Sequence, residues 1–281
     1  MLNRIITGTI LSAIFLIALF YLPLIYISFI FSIISLYGFY EWLKISRESS
    51  LSILFNLSMM LILMLLLIYF HSHSTVMLLT YVSLFIWIII PLDMLYDSKL
   101  YKKLLKSNPS LVGLYMIISA WFLLISLGST SETSVIEDNK YLLFSITDSN
   151  IHMYLFFLIA LISTTDASGY FIGRFFGEAK LCKDISPNKT LIGLFGSLFI
   201  PIILFSLIFN YAFSIPILIE DLFFMLLCCI YCTYGDLFVS IFKRYFNVKD
   251  TGDILPGHGG VLDRLDSYLP TISIFQIWLF L

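Results

Sequence analysis

Five acids and four bases crowd the stretch from Tyr234 to Asp266: Asp236, Asp250, Asp253, Asp263 and Asp266 against Lys243, Arg244, Lys249 and Arg264. The glycine-rich run Pro256-Gly257-His258-Gly259-Gly260 lies among them. Carboxylates can hold a divalent cation, while lysines, arginines and free backbone N–H groups can hold phosphate. That is the equipment of phosphoryl or nucleotidyl transfer. Asp236, Ser240 and Lys243 stand at i, i+4 and i+7, so on a helix they share one face, with Arg244 adjacent. Asp263 and Asp266 share a face at i, i+3. If a helix opens near Gly260, the amides of Gly259 and Gly260 form an anion site at its start. His258 and Arg264 add donors there. An interfacial salt-bridge network is the plainer alternative. The density of charge in a chain that is only 12% charged favours a site.

A second region runs from Asp166 to Gly196. Asp166 is an acid inside an apolar block, expensive unless partnered. Arg174, Lys189 and the hydroxyls of Ser186 and Thr190 offer anion contacts, Arg174 serving equally well as a membrane-surface anchor. Gly169, Gly173 and Gly177 form a small-residue stripe, which reads first as close helix packing.

The elements that must position these residues are membrane helices. The 281 residues are 60% hydrophobic, with mean hydropathy +0.99. Soluble domains hold about 45–50% apolar and about 25% charged residues. The apolar residues fall into nine blocks, near 5–21, 23–41, 51–70, 75–95, 110–128, 151–173, 191–213, 217–242 and 261–281, each long enough to cross a bilayer. The expected architecture is all-α and polytopic, with about nine transmembrane helices and a cytoplasmic N-terminus. Residues 1–281 form one transmembrane domain: 1–150 supply N-terminal helices, and 151–281 supply catalytic helices and cytoplasmic loops. With that orientation all the basic residues except Lys140 fall on inner segments, as the positive-inside rule requires. The same orientation puts both charged regions on the cytoplasmic side. His71, His73 and His152 fall on the outer side as surface residues, and Glu220 and Asp221 are expected at the outer interface. Cys228, Cys229 and Cys232 lie in one apolar block, so no disulfide framework is implied. Cys228 and Cys232 read as packing residues rather than metal ligands.

From Ser240 to Asp266 the sequence resembles the phosphatidate cytidylyltransferase (CDP-diacylglycerol synthase) family. The residues that carry the resemblance are Ser240-x-x-Lys243-Arg244, Lys249-Asp250, Pro256, His258-Gly259-Gly260 and Asp263-Arg264-x-Asp266, with Gly235-Asp236 ahead of them. Asp166, Gly173-Arg174 and Ser186-Pro-Asn-Lys189-Thr190 match the family's second region. One departure is Ile192-Gly193, where the family usually has Glu-Gly. The N-terminal 150 residues resemble the family only in their hydropathy and span pattern.

The resemblance implies transfer of the cytidylyl group of CTP to phosphatidic acid, giving CDP-diacylglycerol and pyrophosphate for phospholipid synthesis. Asp236, Asp263 and Asp266 are then expected as ligands of Mg²⁺, with a second cation left open. Ser240, Lys243, Arg244 and Lys189 are expected on phosphates. Lys249, Asp250, His258 and Arg264 belong to the site without assigned roles, and Asp166, Arg174, Ser186, Thr190, Gly259 and Gly260 join the substrate-binding set. The expected partners are CTP, phosphatidic acid and the lipid bilayer, without nucleic acid; a homodimer is an allowed assembly. The expected location is the bacterial inner membrane, with the site facing the cytoplasm. A CTP-dependent polyprenol or lipid kinase is the alternative enzyme. An ion-coupled transporter, which calls for midplane charges and inverted repeats, fits less well.

Overall fold

The computed structural model describes residues 16–96, 100–127, 151–182, 185–212, 216–254 and 259–280. The order is α1 (Leu24–Ile45), α2 (Ser50–Tyr69), α3 (His73–Tyr96), α4 (Leu100–Ser107), α5 (Pro109–Ser126) and α6 (Ile151–Phe176). A hairpin of β1 (Lys180–Cys182) and β2 (Ser186–Thr190) follows, then α7 (Leu191–Ala212), α8 (Ile219–Tyr245), the single turn α9 (Leu262–Leu265) and α10 (Tyr268–Phe280). Residues 16–21 are helical ahead of α1. Apart from the hairpin, the regular elements among the described residues are helices, as expected for a polytopic membrane protein.

Seven of these helices are long and apolar enough to cross a membrane: α1, α2, α3, α5, α6, α7 and α8. Their outer surfaces agree with that reading. On α2, Leu54, Phe55 and Leu65 are each 67% exposed, a density of bare apolar surface that water would penalise and hydrocarbon would not. The expected first block, 5–21, lies mostly outside the described residues.

The expected ninth block, 261–281, is not one continuous span. It divides into α9 and the 13-residue α10, about 20 Å long at ~1.5 Å per residue. The physical cause lies at Asp266–Pro270. Ser267 N–H donates to the Asp266 carboxylate (2.8 Å), and Pro270 has no N–H to offer the Asp266 carbonyl four residues back. That carbonyl packs instead against Gly235 of α8, where a Cβ would collide with it. α10 is also buried along nearly its whole length rather than facing lipid: Ile272, Phe275 and Gln276 are all at 0% exposure.

Contacts between distant segments gather the loops expected on one side at one end of the molecule. Trp42, at the end of α1, stacks on Phe242 near the end of α8, with ring centroids 3.6 Å apart. Its indole N–H donates to Pro109 O at the start of α5 (2.8 Å). Glu48 accepts from Ser52 (2.7 Å) and from Ser110 (2.6 Å), and these two hydrogen bonds hold its carboxyl below the ordinary range. Arg244, at the end of α8, donates to Ile185 O beside the hairpin (3.3 Å).

The opposite end is built separately. His71 packs on Phe122, and Asp221 at the start of α8 accepts from Trp278 near the end of α10 (3.3 Å). Asp221, expected at the outer interface, is in addition fully buried, because Trp278 and the Leu218 N–H (3.0 Å) satisfy its carboxylate inside the bundle.

Candidate active site

Four elements converge at the end where Trp42 and Phe242 stack. The first is the α8 face carrying Asp236, Ser240 and Lys243. Ser240 donates to Asp236 one turn earlier (3.3 Å), so the face expected from the spacing exists. The second is the β-hairpin. Its antiparallel register pairs Lys180 with Thr190 and Cys182 with Ser186. β2 carries Lys189 to Asp236, where the ammonium and carboxylate meet at 2.7 Å.

The third element is formed by residues 251–254 and 259–260 with α9. Lys243 reaches Asp263 at 2.6 Å. The other Asp263 oxygen accepts from Thr251 N–H (2.9 Å), Thr251 hydroxyl (3.0 Å) and Gly260 N–H (3.1 Å). Burial alone would raise the Asp263 carboxyl; the bonds from Lys243, Thr251 and Gly260 more than offset it, and the net direction is down. Asp263 is therefore a fixed carboxylate at neutral pH.

The fourth element is the segment from α9 into α10, with its neighbour α6. Asp266 is buried and within electrostatic reach of Asp236, Asp166 and Lys243. Asp166 accepts from Ser267 hydroxyl (3.3 Å) and from the Cys232 thiol (3.5 Å), and lies within reach of Asp236 and Lys189. Four carboxylates (Asp166, Asp236, Asp263, Asp266) thus gather about two ammonium groups (Lys189, Lys243).

The three carboxylates expected to share one cation are not drawn together as a ready-made ligand set. Among the described residues no three His, Cys, Asp or Glu side chains form such a group. Asp263 has both oxygens engaged, whereas Asp236 and Asp266 remain close to each other in the electrostatic sense. The donor chemistry still fits a hard divalent cation. Mg²⁺ is commonly held by one or two carboxylates and completed by water and substrate phosphate.

Several expected residues have other duties or stand apart. Thr190 is buried and its hydroxyl accepts from Gly193 N–H (3.1 Å), which caps the start of α7. Arg244 is tied to Ile185 O and to Val248 O (3.2 Å), which fixes the hairpin against α8. Arg174 is exposed and donates to Tyr170 one turn earlier (3.0 Å), in keeping with a surface anchor. Ser186 is half-buried on β2, and Lys249 and Asp250 are exposed after α8. Gly259 adopts φ +83°, the left-handed turn that admits its neighbour's N–H to Asp263. Pro256, Gly257 and His258 lie outside the described residues. The glycine stripe does what was expected of it: Gly169 and Gly173 meet Gly193 of α7 so closely that a Cβ on Gly193 would sit 2.8 Å from Gly169 O. Cys228, Cys229 and Cys232 are buried and form no disulfide, and Cys232 packs with its thiol directed at Asp166.

Glu41 was missed. It lies in the last turns of α1, 2% exposed, and accepts from Thr251 hydroxyl (3.0 Å), Val261 N–H (3.1 Å) and Leu262 N–H (2.8 Å). A buried carboxylate from the N-terminal half thus caps α9 and clamps the loop that presents Asp263. Gly260 packs so tightly here that a Cβ would collide with Thr251 and Glu41. The available signal was the one used for Asp236, a lone acid in an apolar run.

Comparison with known proteins shows the family. Residues 2–281 match the model of the cytidylyltransferase family. The chain is 44% identical over 117 residues to a phosphatidate cytidylyltransferase of Bacillus subtilis (strain 168), covering 41% of this chain and 43% of that protein. It is 39% identical over 144 residues to a phosphatidate cytidylyltransferase of Staphylococcus haemolyticus (strain JCSC1435), covering 50% and 54%. A Staphylococcus aureus (strain COL) protein of the same name is 37% identical over 140 residues. The chain spans about half the length of the curated relatives it matches. With the family model matched from residue 2 to residue 281, the chain belongs to the cytidylyltransferase family.

Proposed function

We propose that this protein transfers the cytidylyl group of CTP to phosphatidic acid, releasing pyrophosphate and leaving CDP-diacylglycerol in the membrane. The observation that carries the reading is the convergence of Lys189, Lys243, Asp236, Asp263 and Asp266 at one end of a membrane bundle, within a chain matched throughout by the family model. A phosphatidate oxygen attacks the α-phosphorus of CTP. A new P–O bond forms as the bond to the β-phosphate oxygen breaks, and pyrophosphate leaves with the electron pair. The attacking oxygen is already anionic at neutral pH, so positioning and charge neutralisation matter more than a strong base.

The residues divide that work. Lys189 and Lys243 neutralise phosphate oxygens. Asp236 holds Lys189 in place until phosphate arrives, through a half-exposed pair that costs little to open. Asp263, held by four hydrogen bonds, fixes the Lys243 ammonium. Ser240 orients Asp236, and Glu41 holds the loop on which Asp263 depends. Asp236 and Asp266 would hold the divalent cation, which when bound neutralises the triphosphate and aids departure of pyrophosphate. The basic residues at this end support a site on the cytoplasmic face of a bacterial inner membrane, by the positive-inside rule.

The test is turnover of CTP by the purified protein in micelles containing dioleoyl phosphatidate and Mg²⁺. Label on the α-phosphate is expected in CDP-diacylglycerol, with pyrophosphate released. Transfer of γ-label to lipid with release of CDP would identify a kinase instead, and no transfer of either label from a folded sample would end the proposal.

A further inference from the structure

A groove of about 260 Å³ opens between α1, α5, α6 and α10. Its walls are apolar: Phe31 and Ile34 from α1, Ala120 and Leu124 from α5, Ile159 from α6 and Ile272 from α10. Trp121 also lines it, and its indole N–H is donated to Ser32 (2.9 Å), so its one polar atom is already satisfied within the bundle. The single charged group in the lining is Arg264, which is exposed and stands on α9 next to Asp263. One short turn therefore serves both places, Asp263 toward Lys243 and Arg264 toward the groove.

This composition selects an occupant. The volume falls just under the ~300–1,000 Å³ of ordinary small-molecule sites, and a lining with one charge and few hydroxyls offers nothing to a base, a ribose or a triphosphate. In a bilayer an apolar groove left empty forfeits dispersion contacts, so hydrocarbon fills it. A cation at its end then favours hydrocarbon attached to an anionic head. Continuity with α9 puts that head beside the acid–lysine cluster. We propose that the groove holds one acyl chain of phosphatidate, with its phosphate presented to Arg264 at the edge of the active site. The proposal rests on the function given above for the identity of the lipid, and its test is arranged so that either can fail alone.

The full chain, in detergent micelles, is irradiated with phosphatidate carrying a diazirine in one acyl chain, and in parallel with diacylglycerol carrying the same chain. Label from phosphatidate is expected on peptides spanning 31–35, 117–124 and 265–272, exceeding the diacylglycerol label by about fivefold, the scale of one arginine beside an anionic head. Arg264→Gln is expected to erase that preference, and Ala120→Phe to reduce labelling of these peptides while the melting temperature and CTP binding hold. Should Ala120→Phe fail to fold, the wild-type map and Arg264→Gln decide. Label confined to other surfaces, an undiminished preference in Arg264→Gln, or cross-links showing residues 1–15 or a second copy of the chain seated in the groove would overturn the proposal. Labelling as expected without formation of CDP-diacylglycerol leaves the groove standing and removes the proposed reaction. Formation of CDP-diacylglycerol with label elsewhere does the reverse.

Discussion

Asp263 and Glu41 divide the labour that a single carboxylate could not perform. Asp263 spends both oxygens on Lys243, Thr251 and Gly260, and Glu41 spends both on Thr251, Val261 and Leu262. Thr251 donates its hydroxyl to either acid, which links them. Asp263→Asn preserves shape but removes the charge that fixes Lys243. Turnover is expected to fall about 100-fold or more, as for loss of other preorganised electrostatic contacts, with a stability loss of about 2 kcal/mol. Activity and thermal melting on the same preparation check this; a variant that melts normally and turns over at half the wild-type rate would contradict it. Glu41→Ala strands two backbone N–H groups in the interior, while the Thr251 hydroxyl keeps Asp263 as acceptor, at a cost of about 2–4 kcal/mol. Glu41→Gln should lose less stability, because one oxygen still accepts, and its kcat should fall before its KM for CTP changes. The local half of this arrangement was readable from spacing: Asp236, Ser240 and Lys243 do share a face. Glu41 was not, because it meets Thr251 across 210 positions of sequence, a distance that no pattern within one segment can report.

The helices themselves were legible because hydrocarbon demands long uninterrupted apolar runs, and such runs are hard to hide. Two elements escaped that signal. The β-hairpin carries Ser186-Pro-Asn-Lys-Thr190, which lacks the alternation of a half-buried strand. Its register is secured from outside, by Arg244 on Ile185 O and by Leu191 N–H on Ala179 O (3.0 Å). The break between α9 and α10 was hidden inside an apolar block, since hydropathy does not register a missing proline N–H. The hairpin has its effect through α6 and α7, which approach through glycine. Gly193→Ala would bring a Cβ to 2.8 Å from Gly169 O and 3.0 Å from Gly173 Cα, both backbone atoms that cannot swing aside. The two helices must separate, at about 1–3 kcal/mol. Because Lys189 enters from the strand leading into α7, KM for CTP should rise as well. Thermal melting together with CTP kinetics tests this, and an unchanged melting temperature would show that the crossing is looser than the backbone distances imply.

At the scale of the molecule, the acid–lysine cluster lies at one end of the bundle, and the contacts that tie that end together join segments from both halves of the chain. Trp42 with Pro109 and Phe242, Ser110 with Glu48, Arg244 with Ile185 and Glu41 with Leu262 fasten the ends of α1, α5, α8 and the hairpin into one surface. A count of basic residues could assign these segments to one side of a membrane, but it could not show that they touch. The turn at Ser72, between α2 and α3, belongs to the opposite end and is exposed, while Lys249 follows α8 at the end that carries the cluster and is also exposed. Cysteines placed singly at these two positions, in a background carrying Cys182→Ser, therefore report orientation; the three remaining thiols are buried. In intact cells a membrane-impermeant maleimide is expected to label Ser72→Cys, and to label Lys249→Cys only after the membrane is opened. The charge argument makes this direction strict, since each basic residue moved outward opposes the orientation preference. Labelling in the reverse order would turn the whole bundle over and place the acid–lysine cluster away from cytosolic nucleotide. Equal labelling of both positions from outside would mean that they do not lie on opposite faces, and the end that carries the acid–lysine cluster would no longer define a membrane face.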